Sequence, residues 1–180
     1  VSGIDQLLLR PWRDDDAPAV LAAFATPDMA TQAGEPITDP AAARRWITHW
    51  RNAGGAHPFA VAYAGRIVGH VAVSAVDRRH SVGWVSYWTT RADRGHGFGT
   101  AATAALAEWA FAELGLFRLE LGHRVDNPGS CGVARGAGFL VEGRERAKLA
   151  YDGERYDVEL HARLRTDPAP APRYTYAVQR

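Results

Sequence analysis

The stretch Arg94-Gly95-His96-Gly97-Phe98-Gly99-Thr100 sets three glycines at alternate positions directly before an alanine-rich segment. A loop that runs into a helix N-terminus presents unpaired N–H donors and a partial positive charge, which suits phosphate oxygens. Glycines let the backbone approach such a ligand and adopt positive φ without steric cost. Arg94 adds a charged donor. The bland alternative is a tight strand-to-helix turn, but alternating glycines weaken a helix start unless something uses the exposed amides. Two nucleotide motifs can be compared with the loop. A dinucleotide fingerprint wants a third glycine where Thr100 stands and no gap after the strand, whereas Arg91 to Arg94 intervene here. Glu120 falls near the distance expected of its ribose-binding acid, so a nicotinamide-dependent oxidoreductase stays open as an alternative. The P-loop fails, because no Gly-Lys-Ser/Thr exists and Lys148 is the only lysine.

Other chemistry is excluded by composition. The single Cys131 rules out an internal disulfide and a multi-cysteine metal site. His49, His57, His70, His80 and His161 show no mutual metal-ligand spacing, so no metal is expected. A net charge of +1 argues against a nucleic-acid partner, which would need a basic face. No segment approaches the ~20 apolar residues of a membrane span, and no secretory apolar region opens the chain, so a cytoplasmic setting is expected.

These residues need a scaffold, and 180 residues suffice for one domain with a real core. We place that domain at residues 1–165, followed by a Pro/Ala-rich tail, 166–180. Leu7 to Trp12 reads as a first strand. "RDDDAPAVLAAF" and "TDPAAARRWITHWRNAGG" read as two helices, the second with Asp39 as cap and Pro40 in its first turn. From Pro58 the apolar period becomes two, giving three strands (around 58–63, 67–76 and 81–90) joined by short turns and hence antiparallel. The glycine loop opens a helix over 97–114 with Ala102, Leu106, Ala110 and Leu114 as its buried stripe. A strand at 116–123, a short helix capped by Asn127 and a hairpin about Asp152-Gly153 complete the order. The result is a mixed α/β sheet, largely antiparallel, with helices on both faces and one parallel crossover between strands 81–90 and 116–123.

Residues 83–146 resemble the GNAT N-acetyltransferases, and within them the ribosomal-protein (RimJ/RimL-type) branch. The carriers are "RGHGFGT", "WAF", "LGLFRLE", Asn127 with Ser130, and "GFLVEG". The resemblance implies a GNAT-like fold and acetyl-CoA as cosubstrate. It implies that the amides of Arg94, Gly95, His96, Gly97, Phe98, Gly99 and Thr100 hold the coenzyme pyrophosphate. Strand 81–90 would carry a bulge and splay from strand 116–124, with the pantetheine arm pairing against the backbone of Trp88, Thr89 and Thr90. Asn127 would contact the coenzyme, its alternative role being a plain helix cap.

Acetyl transfer to an amine needs a neutral nucleophile, an oxyanion donor and a proton for the leaving thiolate. The family's usual tyrosine is replaced by Ala134, and Ser130 is the branch's candidate acid, with a second capping role as its alternative. Glu120 is the first choice of base, against a surface ion pair with Arg118; His123 and Asp126 are further choices. Cys131 reads as a small core residue. The acceptor would be an amine, either a protein N-terminus or a small molecule. The missing tyrosine keeps an acetyl-CoA-binding sensor or pseudoenzyme as the rival. The apolar last strand and tail could support a homodimer.

Overall fold

The structure, a computed structural model, describes residues 6–30 and 32–179; residues 1–5 of the expected domain and Arg180 of the expected tail lie outside it. One eight-stranded sheet runs in the order β6-β7-β5-β4-β3-β2-β1-β8. Its strands are β1 (Leu7–Arg10), β2 (His57–Tyr63), β3 (Arg66–Asp77), β4 (Val82–Thr89), β5 (Arg118–Arg124), β6 (Leu140–Tyr151), β7 (Glu154–Leu164) and β8 (Tyr176–Val178). Neighbours are antiparallel except β4 with β5 and β1 with β8.

Strand periodicity divides the apolar residues between two layers. Leu7, Leu9, Val71, Val73, Val85, Leu119 and Leu121 face α4 (Phe98–Glu113), whose Ala102, Ala105, Leu106 and Ala110 fill the larger core. The expected stripe is present, with Leu114 as the C-cap of the helix, partly buried against the same core. A second core joins Trp12, Ala60 and Trp88 to α1 (Ala17–Phe24), α2 (Pro27–Ala30) and α3 (Pro40–Asn52). Asp39 caps α3 by accepting from the Ala42 amide at 2.8 Å. α5 (Pro128–Gly136) packs beside α4.

Three features depart from the sequence reading. The four-residue α2 separates the two expected N-terminal helices. The bulge sits in β3 rather than β4: Ala75 and Val76 fall between the pairs Ser74–Trp84 and Asp77–Val82, and Ala75 has φ 46°. Two residues there oppose Gly83 alone, so β4 keeps its regular pleat. Lastly, part of the expected tail is β8, which pairs parallel to β1 from Leu7–Tyr176 to Leu9–Val178.

Candidate functional site

β4 and β5 pair only at Val82–Arg118, Gly83–Leu119 and Trp84–Glu120. Past Trp84 the strands part, leaving the backbone of β4 from Val85 onward without a strand partner on that side among the described residues. The splay expected of this pair is therefore present, although the bulge expected in the same strand lies in β3. A short 3₁₀ turn over Arg91–Asp93 follows β4, and then the glycine loop.

Gly95 and Gly97 both have positive φ, 82° and 85°. Gly97 is the N-cap of α4, and no side chain caps the helix. The first amide with an intrahelical acceptor is that of Ala101, on Gly97 O at 3.0 Å. The amides of Phe98, Gly99 and Thr100 precede it and have no acceptor within the helix, the arrangement that receives anions. Gly99 serves packing: a β-carbon there would lie 2.9 Å from Thr89 Oγ1 and 3.2 Å from Val133 Cγ2. It lets the helix start sit against the end of β4 and against α5.

The loop is held from three sides. Asp93, buried at its base, receives Arg66 in a two-pronged ion pair and a short hydrogen bond from Thr90 Oγ1. The Arg66 guanidinium holds the Asp93 carboxyl below the usual carboxylate range, against the opposing effect of burial. His96 stacks on Phe98 with centroids 5.9 Å apart. From the C-terminal segment, the Tyr174 hydroxyl donates to His96 O at 2.7 Å, and its ring packs on Phe98 and Tyr63. Arg173 lies over Gly97, where a β-carbon would come within 2.8 Å of its Nη1. Arg94 is ion-paired to Asp28 of α2 at 2.5 Å and reaches Thr89 O at 3.3 Å. Arg173 thus puts a guanidinium group against the loop at Gly97, while that of Arg94 is engaged by Asp28 and Thr89 O.

Beyond the loop, Asn127 caps α5, its Oδ1 accepting from the Ser130 amide at 3.0 Å. The Tyr87 hydroxyl donates to Ser130 O at 3.0 Å, tying β4 to the first turn of α5. Burial pushes the Tyr87 phenol up to about 12, with contact to Ser130 opposing it. Tyr87 is the residue sequence reasoning missed, since nothing in "VSYW" marks one strand tyrosine as facing a helix start. Ala134, standing where the family tyrosine belongs, is fully buried.

Glu120 lies on the other face of the sheet. Side chains alternate along a strand, so Leu119, Leu121 and His123 face α4 and α5 while Arg118, Glu120 and Gly122 face away. There Glu120 lines a groove of about 410 Å³ with Trp84, Glu142, Glu145 and Leu160. Arg118 sits between two carboxylates, donating to Glu120 Oε1 at 2.6 Å and to both oxygens of Glu142. The ion pair weighed as an alternative for Glu120 is formed. Trp88 packs among Trp12, Phe24 and Trp46, and its buried Nε1–H has no hydrogen-bond partner among the described residues. Its indole belongs to the core, leaving only its backbone for a ligand in the gap. Asp126 is ion-paired to Arg124, away from the groove residues. The structure therefore gathers Ser130, Asn127, Tyr87 and the loop on one side of the splay and places Glu120 on the other.

A splayed parallel pair, with an uncapped glycine-led helix beside it, defines a GNAT acetyltransferase domain. Residues 6–140 match the acetyltransferase (GNAT) domain family, and the chain belongs to it. This sets aside the nicotinamide-dependent reading. Among curated relatives, "Putative ribosomal N-acetyltransferase YdaF" of Bacillus subtilis is 30% identical over 105 residues, 58% of this chain and 57% of that protein. The chain thus spans little more than half the length of that relative. Mycobacterium smegmatis RimJ, solved with CoA-disulfide, superposes with a TM-score of 0.78 at 26% identity, covering 87% of this chain and 81% of that one. The self-immunity acetyltransferase MccE of microcin C7, solved with acetyl-CoA and AMP, shares the fold at a TM-score of 0.79 and 19% identity, over 89% of this chain and 93% of that one.

Proposed function

We propose that the protein transfers an acetyl group from acetyl-CoA directly to a primary amine. The observation that carries this is the opening between β4 and β5, which continues into the uncapped amides of α4. The loop amides, with Arg94 and Arg173, would take the pyrophosphate, and the free edge of β4 from Trp88 to Thr90 would pair with the amide-bearing arm. The thioester would then lie between the two faces of the sheet. Ser130 would then supply the proton for the departing thiolate. An amine in the groove would meet Glu120, Glu142 and Glu145, three carboxylates set against Arg118 and Lys148, to which they are paired. Glu120 would take its proton through water or orient it. The curated relative's name, a putative ribosomal N-acetyltransferase, supports a protein acceptor, for which we propose an N-terminus in a cytoplasmic setting, and a homodimer is compatible with the exposed Leu140 and Val141 on the edge strand β6.

The rival reading, an acetyl-CoA sensor, is favoured by two observations. Ala134 replaces the family tyrosine, and Glu120 is already held by Arg118. Thiol release from acetyl-CoA, followed over a panel of peptides with free N-termini and small amines, separates the two. Direct transfer predicts amine-dependent release with intersecting double-reciprocal lines. Parallel lines would indicate an acetyl-enzyme, and binding of acetyl-CoA without release to any amine would favour the sensor.

A further inference from the structure

Four groups able to bind a metal meet where β5, α5 and β7 pack together. His123 of β5, Cys131 of α5, and Glu159 and His161 of β7 each offer one ligand atom, all within 4.8 Å of one another. His161 Nε2 lies 2.9 Å from His123 Nε2 and 2.9 Å from Glu159 Oε1. Glu159 Oε1 is also 3.6 Å from Cys131 Sγ and 3.6 Å from His123 Nε2. Both imidazoles are buried.

The outer partners determine which atoms face inward. His123 Nδ1 is 2.8 Å from Arg124 O, and His161 Nδ1 is 3.4 Å from Phe139 O. A carbonyl oxygen only accepts, so each Nδ1 carries the hydrogen. Each neutral ring then turns a lone pair on Nε2 toward the same point. The carboxylate oxygen and the sulfur face that point too. Four polar groups converging there are held together either by shared protons, as in the Cys131 S–H bond to Glu159 Oε1, or by a cation bound among them. A carbonyl behind each ligating histidine is also the usual means of fixing the ligating tautomer.

We propose that His123, Cys131, Glu159 and His161 form a four-coordinate zinc site. Two imidazole nitrogens, a thiolate and a carboxylate make a borderline donor set that suits Zn²⁺ better than Mg²⁺ or Ca²⁺. A tetrahedral zinc with ligands at about 2.0–2.3 Å holds them roughly 3.3–3.7 Å apart, so the four side chains need shifts of only about 1 Å. Binding displaces the Cys131 proton to solvent as the sulfur–zinc bond forms. All four positions are filled by protein, so the site is structural and leaves no open position for a reacting molecule. It anchors the first turn of α5, next to Ser130, onto the sheet. The reading does not depend on the identity of the acetyl acceptor.

The test uses the whole chain, stripped with chelator and dialysed against Zn²⁺. We expect one zinc per chain and a rise in Tm on binding. Cys131→Ser and His161→Gln should each weaken affinity by more than about 100-fold, above the 10- to 100-fold typical for loss of an outer partner. His80→Gln, outside the cluster, should leave affinity unchanged. Co²⁺ in the native protein should give intense tetrahedral visible bands and a thiolate charge-transfer band that Cys131→Ser removes, a readout that needs no folded histidine variant. Failure to retain stoichiometric zinc would overturn the proposal. So would affinity indifferent to Cys131→Ser, or a weak octahedral cobalt spectrum.

Discussion

At the scale of single residues, the question is which hydroxyl serves the leaving thiolate. Ser130 was legible because its spacing from Asn127 follows the branch pattern. Tyr87 was not, because a strand tyrosine acquires a role only through the helix packed across from it. The two differ in chemistry. Tyr87 is half-buried, its phenol is pushed up to about 12, and its hydrogen already goes to Ser130 O. A phenol already donating to a backbone carbonyl must break that bond before it can protonate the thiolate. We therefore expect Ser130→Ala to lower kcat by at least about tenfold, within the range of general-acid effects, with acetyl-CoA affinity unchanged. Tyr87→Phe should cost about 1 kcal/mol of stability, the worth of one buried hydrogen bond, with a smaller effect on kcat. Calorimetric titration of acetyl-CoA and steady-state kinetics on both variants read the two effects apart. The reverse ranking in kcat would move the role to Tyr87.

At the scale of elements, regular pieces were legible and their irregularities were not. The caps Asp39 and Asn127 and the apolar stripe of α4 follow from local pattern, because capping and amphipathicity are read within one helix. The bulge at Ala75–Val76 depends on how β3 meets Gly83, which no local pattern encodes. The metal-ligand cluster escaped for the same reason: its residues lie on three elements, and spacing rules detect ligands only within one. The 3₁₀ turn that feeds the glycine loop gives a prediction at this scale. Asp93 has its folded pKa lowered chiefly by Arg66, so its ion pair contributes fully above the unfolded value of about 3.9 and is lost as pH falls through the folded one. Tm of Asp93→Asn should therefore lie below that of the native protein at neutral pH, with the gap closing below about pH 4. Acetyl-CoA affinity should fall in the same variant, since Asp93 sits at the base of the loop. A gap that stays constant down to pH 3 would show that the pair does not hold the turn.

Over the whole molecule, the C-terminal segment changes the picture most. Its composition reads as a tail, yet Tyr176–Val178 form β8 on the edge of the sheet, and the preceding residues lie across the cofactor loop. A parallel edge pair leaves no turn signal, because its two strands come from opposite ends of the chain. β8 covers β1, whose Leu7 and Leu9 are completely buried, and it is closed by the Leu7 amide on Thr175 O and the Gln179 amide on Leu9 O. The same segment delivers Tyr174 to His96 O and Arg173 to Gly97. Sheet stability and loop geometry are thus joined through residues 173–179, and two changes should separate them. A chain ending at Pro172 loses the strand pairing and the Tyr174 packing. We expect a loss of about 2 kcal/mol, or roughly 4–8 °C in Tm for a domain of this size, together with weaker acetyl-CoA binding. Arg173→Ala removes only the guanidinium, which stands beside open amides suited to phosphate. It should leave Tm within about a degree and weaken acetyl-CoA by roughly three- to tenfold, the weakening shrinking as ionic strength rises and screens the charge. Thermal melts and titrations at low and high salt measure both. Unchanged affinity in Arg173→Ala would reduce the segment to an edge strand that stabilises the sheet without touching the cofactor.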